Sequence, residues 1–348
     1  MTVDIPHSKP TVERDDHDAI ERTLSSGMIA DGALRHSFEQ AVGARLGLPA
    51  GLATSSGTAA LTATLLAAGV APGDEVIAPT YVCDAVAVAI RGAQATPVLC
   101  DVEIDRCISR ATVEPRLTAR TRAIVVVHPF GAVADVPSLK ALGLTVIEDC
   151  SQAFGATRDG RLAGTSGDAC AISFHATKLL TTGEGGMALS GNHAIAERLN
   201  GLRRGAGVAG GYESPPLSDL QAALGVSQLS RYDGFLARRA ALAAFYFDAL
   251  RNVNVELPAE VVGRSIFFPF AVRSRLPFEQ ALGAFAARGI HVRRGVDRLL
   301  HRPGDKADFP MAERLYAETV SLPIYPSLSD EDAARVAAAA HDVFGTRT

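Results

Sequence analysis

Between Gly51 and Ser190, short apolar runs rich in β-branched residues alternate with helix-like stretches, and this alternation constrains the fold more than any other feature. GLAT, DEVIAPT, TPVLCDV, AIVVVHP, TVIED and DACAISF each read as a strand. SSGTAALTATLLAAG and VCDAVAVAIRG, lying between them, read as helices. Several of the strand runs are apolar throughout rather than every second residue, as expected where both faces of a sheet are covered. The pattern therefore predicts an α/β fold with a largely parallel sheet flanked by helices. Near Arg238 the pattern changes. ARRAALAAFYFDALRN reads as one long helix, SIFFPFAVRS as a strand, FEQALGAFAARG as a helix, and an Ala-rich helix begins near Ser329. We expect a large domain over residues 1–237, opening segment included, and a smaller α/β unit over 238–348.

Composition narrows the class. A chain of 348 residues with 47% hydrophobic and 21% charged residues is an ordinary globular protein with a sizeable core. The formal net charge of −4, without a basic run, argues against nucleic acid as a partner and against an anionic membrane surface. No apolar stretch has the length of a membrane span, and the polar opening MTVDIPHSKPTVERDD does not read as a secretory signal. The five cysteines form no CxxC pair and several sit in apolar runs, as expected of free thiols. The expectation is a soluble, cytoplasmic protein.

Three separated motifs carry chemistry, each where a strand should end, which is where open α/β sheets bind ligands. Ser55-Ser56-Gly57-Thr58 precedes a helix. It reads either as an ordinary N-cap or as a phosphate cradle of backbone amides and hydroxyls. Asp149 follows the run TVI and Glu148. A carboxylate at a strand mouth reads as an N-cap, as a metal ligand, or as the partner of a protonated pyridine nitrogen. No His/Cys/Asp cluster with ligand spacing supports the metal. Lys178, 29 positions later, follows the apolar run of DACAISF and precedes a Gly-rich loop. Partial burial there would supply the neutral amine that a Schiff base needs. The order of cradle, acid and lysine favours pyridoxal phosphate (PLP) chemistry over a merely solvated lysine.

In the order SSGTAAL, PGDEVIAPTYV, ATPVLCDV, HPFGAVADV, VIEDCSQAFGA, SFHATKLLTTGEGGMAL, LSDLQAALGVSQL and SLPIYPSLSDED, the chain resembles the DegT/DnrJ/StrS-type aminotransferases. These are PLP-dependent enzymes of fold type I. The resemblance implies a seven-stranded, mostly parallel sheet and a homodimer with two interfacial active sites. It makes Lys178 the Schiff-base lysine and Asp149 the partner of the pyridinium nitrogen. Gly57, Thr58 and Ser173 would hold the phosphate, Tyr81 would stack on the ring unless it only packs at the strand end, and Gln152 would lie beside the phenolic oxygen. His128 and His175, near the expected site, are read as structural or supporting, and Glu184 as either orienting substrate or capping a turn; none of the three is read as catalytic.

The chain departs from the family's pattern at Gly211-Tyr212-Glu213-Ser214-Pro215-Pro216-Leu217, where an Asn that reaches the neighbouring subunit's cofactor is missing. Ser214, which can donate to phosphate where Glu213 cannot, is expected to take its place. The region of Arg293 and Arg294 also departs from the commoner His-containing pattern. The implied reaction moves an amino group from an amino acid, expected to be L-glutamate, to a keto group of a nucleotide-linked deoxysugar. A cyclitol or other non-nucleotide ketone, or a PLP-binding regulatory protein without turnover, are the alternatives. Some members of the family are dehydrases with a histidine at the lysine position, which Lys178 argues against.

Overall fold

The protein is described by a computed structural model covering residues 4–203 and 215–347. Seven strands form the central sheet: β1 (Leu52–Thr54), β2 (Glu75–Pro79), β3 (Thr96–Cys100), β4 (Thr121–Val127), β5 (Thr145–Asp149), β6 (Ala169–Ser173) and β7 (Gly186–Leu189). Their spatial order is β1-β7-β6-β5-β4-β2-β3. Only β7 runs antiparallel to its neighbours. Pro97 is tolerated in β3 because that strand is an edge of the sheet.

Strand periodicity divides the apolar side chains between two faces. Val76, Val125 and Ile147 pack under the Gly57–Ala67 and Asp84–Gly92 helices with Leu61, Leu65 and Ile90. Ile77, Ile124, Val126 and Val146 face the other way, onto Val136, Leu139 and Leu315. Both faces are covered, which explains why the strand sequences are continuously apolar.

The Tyr232–Ala249 helix passes from one core to another. Tyr232 and Phe235 pack beside the sheet with Phe154 and Phe174. Leu242, Ala243 and Tyr246 belong to a second core around the antiparallel pair β8 (Phe270–Arg273) and β9 (Thr319–Leu322). The Phe278–Ala286 and Asp330–Phe344 helices close that core, the latter capped by Ser329 accepting from the Asp332 amide at 3.0 Å. The boundary expected at 237/238 lies inside the connecting helix. The first described residues pack on the C-terminal unit, whereas the Arg14–Ser26 helix packs on the Asp219–Ser230 helix beside the sheet. Ile5 exchanges backbone bonds with Gly289 and His291, and its side chain enters the second core. Ile5, one of several scattered apolar residues in a polar opening segment, gave no sign of this.

Candidate active site

Because β1, β2, β4, β5 and β6 run parallel, their carboxyl ends meet at one edge, and an inner cavity opens there. Ser56 caps the Gly57–Ala67 helix by accepting from the Ala59 amide at 3.2 Å. The amides of Gly57 and Thr58 make no hydrogen bond to any described residue, so two donors and the positive helix end face the cavity. A Cβ on Gly57 would stand 2.5 Å from the Ser173 Cβ, so only glycine lets these two strand ends meet. Ser173 Oγ accepts from the His175 amide at 3.3 Å, leaving its own hydrogen to donate. The end of β1, the helix start and the end of β6 thus meet at one point.

Glu148 and Asp149 close β5 and point to opposite sides. Glu148 is fully buried and accepts from the amides of Gly164 and Ser166, both at 2.8 Å, from that of Gly167 at 2.5 Å, and from His128 Nε2 at 2.7 Å. His128 Nδ1 accepts from the Ala134 amide at 3.1 Å, which fixes the proton on Nε2. Burial favours the neutral acid, but these donors outweigh it and hold the Glu148 pKa below its ordinary value. His128, Glu148 and Cys150 are close enough to suggest a metal site, yet both imidazole nitrogens and the carboxylate are already committed. His128 is therefore part of the scaffold. Asp149 lines the cavity, with Oδ1 accepting from the Ser151 amide at 2.9 Å and the other oxygen unused by any described residue.

Lys178 enters the cavity from the turn after β6, its amide bonded to the His175 carbonyl at 2.8 Å. Its Nζ lies 4.9 Å from the centre of the Phe268 ring and forms no hydrogen bond or ion pair with a described residue. Burial lowers its pKa, and the nearby Cys83 and Asp149 offset part of that effect. Gln152 also lines the cavity and accepts from the Phe130 amide at 2.9 Å, so its NH₂ group remains to donate. His175 is held by Thr177 at 2.9 Å and lies 3.5 Å from Glu184, at the more open side.

The structure does not bring Tyr81 to this cavity. Its ring is buried on the far side of the segment, edge-on to Phe130 at 6.3 Å, in the core with Ile77 and Leu315. The hydroxyl occupies the space that a side chain at Gly295 would need. The segment instead presents Val82 and Cys83 to the cavity, and no Phe, Tyr or Trp ring lines this inner part among the described residues. Burial raises the Cys83 thiol pKa, with Asp149 acting in the same direction and Lys178 against it. Ser214 and Glu213 lie outside the described residues. The segment rejoins at Pro215, whose carbonyl accepts from the Ser55 amide at 3.1 Å, and Pro216 bridges to Thr54.

An outer cavity continues past Lys178, Cys83, Gln152 and Thr177 toward His7, Lys9, Phe268, Arg239, Arg293 and Tyr325. It joins the opening segment, the end of β9 and the connecting helix.

The description "DegT/DnrJ/EryC1/StrS aminotransferase family" matches residues 10–341. The chain belongs to this family. It is an aminotransferase, and the family is PLP-dependent. The chain is 32% identical to the spore coat polysaccharide biosynthesis protein SpsC of Bacillus subtilis, over 97% of both chains. It is equally 32% identical to a dTDP-3-amino-3,4,6-trideoxy-alpha-D-glucose transaminase of Micromonospora megalomicea, over 94% of each. The PLP form of the sugar aminotransferase Spr1654 from Streptococcus pneumoniae superposes with a TM-score of 0.89 at 25% identity, covering 98% of this chain and 99% of that one. The inner cavity fits the cofactor on its own geometry, with unpaired amides and hydroxyls at a helix start for phosphate and an uncommitted buried amine for the aldehyde.

The Glu148 network yields a test of pH dependence. A carboxylate with a depressed pKa stabilises the fold above its ordinary pKa and loses that contribution as pH falls through the folded value. Glu148→Gln is expected to lower the urea midpoint at pH 7, with the gap to wild type narrowing as pH drops below 4.5, the ordinary value. A gap that stays constant down to pH 3 would show that the charge is not what orders the turn.

Proposed function

We propose that this aminotransferase takes nitrogen from an amino acid, L-glutamate in the first instance, and delivers it to a keto group of a nucleotide-linked deoxysugar. The observation that carries this reading is the buried, uncommitted amine of Lys178, set in one cavity with the Asp149 carboxylate and the start of the Gly57–Ala67 helix. The named substrate of the Micromonospora relative supports the deoxysugar. Further support comes from the outer cavity, where Lys9, Arg239 and Arg293 outnumber the carboxylate of Asp297 and suit anionic substrates.

PLP supplies the electron sink that lets a proton leave the carbon bearing the nitrogen. Lys178 would hold the cofactor and carry that proton, a role suited to an amine whose pKa burial lowers. Asp149 holds a proton on the ring nitrogen through its unused oxygen, and Ser151 orients the carboxylate. Gly57, Thr58 and Ser173 bind the phosphate, and Gln152 donates to the phenolic oxygen. Cys83, in place of Tyr81, is the side chain that its segment offers to the ring. The protein acts as a homodimer in the cytoplasm. No helix among the described residues is long and apolar enough to cross a membrane.

Titration of the holoenzyme with L-glutamate should replace its visible absorption band with the near-ultraviolet band of the amine form of the cofactor, releasing 2-oxoglutarate. A holoenzyme whose spectrum no amino acid changes would refute the reading and favour a binding protein without turnover. Asp149→Asn is expected to keep the cofactor while turnover falls at least about tenfold, roughly 1.4 kcal/mol for each pKa unit of lost support to the ring nitrogen. Near-wild-type turnover in this variant would remove Asp149 from that role.

A further inference from the structure

Phe268 is half-buried in the wall of the outer cavity, and Lys178 Nζ lies over its ring, 4.9 Å from the centre. The backbone that carries this ring is held on both sides. The Phe268 amide donates to the Phe130 carbonyl at 2.9 Å, and the Phe130 amide donates in turn to Gln152 Oε1 at 2.9 Å. The Phe267 amide donates to Ser265 Oγ at 3.0 Å, and its carbonyl accepts from Arg239 Nη2 at 2.6 Å. A Cβ at Gly131 would stand 3.0 Å from the Phe267 nitrogen, so the two segments meet backbone to backbone. Phe130 and Phe267 both hold left-handed backbone, with φ of 58° and 46°, a conformation that side chains rarely adopt. Such strain persists only where the surroundings impose it, and both residues adjoin the bond that places the Phe268 ring.

The ring is the one printed contact of the Lys178 amine, which forms no hydrogen bond or ion pair among the described residues. Cys83 and Asp149 act on it through space and favour its charged form, against the effect of burial. Arg239 stands 5.5 Å from the centre of the same ring. The remaining charged groups line the cavities on either side, the His175–Glu184 pair in the inner one and Lys9 and Arg293 in the outer one. A cation is drawn to the negative face of an aromatic ring. That attraction offers no acceptor for a proton, so it steadies an amine without fixing it as a permanent ion pair would.

We infer that Phe268 is a positioning residue whose ring face seats the Lys178 amine whenever that amine is not bonded to the cofactor. The inference rests on Lys178 being the lysine that holds the cofactor, as proposed above. In amino transfer that bond has to break and later form again, so a flexible four-carbon side chain must stay in place between the two events. A carboxylate at this point would keep the amine charged and bound, and an aliphatic side chain would give it nothing to rest on. An aromatic face placed by strained, bonded backbone attracts the charged amine and still releases it.

The test uses the full chain loaded with pyridoxamine phosphate, the amine form of the cofactor, in which Lys178 is free. Trace labelling with acetic anhydride across a pH series, followed by mass mapping, reads the titration midpoint of Lys178 itself. Mono-, di- and trifluorinated phenylalanine are introduced at position 268, since fluorine weakens the negative ring face and changes its shape little. The midpoint is expected to fall stepwise along the series, by about one pH unit for the trifluorinated ring, at an unchanged melting temperature. Phe268→Leu should lower it as far, and Phe268→Tyr should stay close to wild type. The fluorinated series decides the matter even where Phe268→Leu does not fold. A midpoint that stays constant or rises along that series would show that the ring only excludes water, and would overturn the inference. If the reduced cofactor then still maps to Lys178, the reading of that lysine survives. A stepwise fall in a protein whose cofactor maps to another lysine would do the reverse, leaving the ring contact but removing its part in the reaction.

Discussion

The buried Glu148 carboxylate is the fixed point of this molecule. One side chain at the end of β5 gathers His128 from the end of β4 and three amides from the turn that leads into β6. Strand pairing then does the rest: Val127 lies opposite Asp149, and Asp149 opposite Ala171, so β4 and β5 end level and β6 runs two residues further, to Ser173. Because successive strand residues alternate sides, burying Glu148 in this network turns Asp149 to the cavity. Ser173 and Lys178 follow from the end of β6. The contact between Gly57 and Ser173 brings in the helix start from the other edge, with no room for a Cβ. Geometry that a cofactor would use is therefore imposed by backbone pairing and one satisfied anion.

Much of this was legible from residue order alone. Lys178, Asp149 and Gly57 come at strand ends, where the alternation of β-branched runs and helices leaves little freedom. β7 was harder to read, since GMAL is short, lies in a Gly-rich stretch and contains no β-branched residue. Tyr81 was misplaced because β2 ends at Pro79. Beyond that point no strand periodicity says which way a side chain faces, and an aromatic ring draws attention that a thiol does not. The structure turns Tyr81 into the core and Cys83 to the cavity. Arg239 did leave a trace. Tyr232, Phe235, Arg239, Leu242 and Tyr246 follow helical spacing on the buried stripe, while Arg238 reaches out to Asp330. A charged residue at a core position of a helix is uncommon, and helical spacing alone marks Arg239 as one.

The two cavities divide the chemistry. The inner one is built from strand ends and a helix start, and its polar groups are few and fixed by backbone bonds. The outer one is made from the opening segment, β9 and the connecting helix, and it holds the cations with which substrates would meet. Lys178 belongs to both, facing Asp149 and Cys83 on one side and the Phe268 ring on the other. Burial lowers the pKa of its amine, and Cys83 and Asp149 offset part of that effect.

The account stands on that lysine. Reduction of the holoenzyme with borohydride, followed by proteolysis and mass mapping, tests it most directly. The pyridoxyl mass should appear on the peptide containing Lys178 and be lost in Lys178→Ala, while that variant keeps its fold. Attachment to Lys9, Lys140 or Lys306, or an unmodified Lys178 in fully loaded protein, would contradict it.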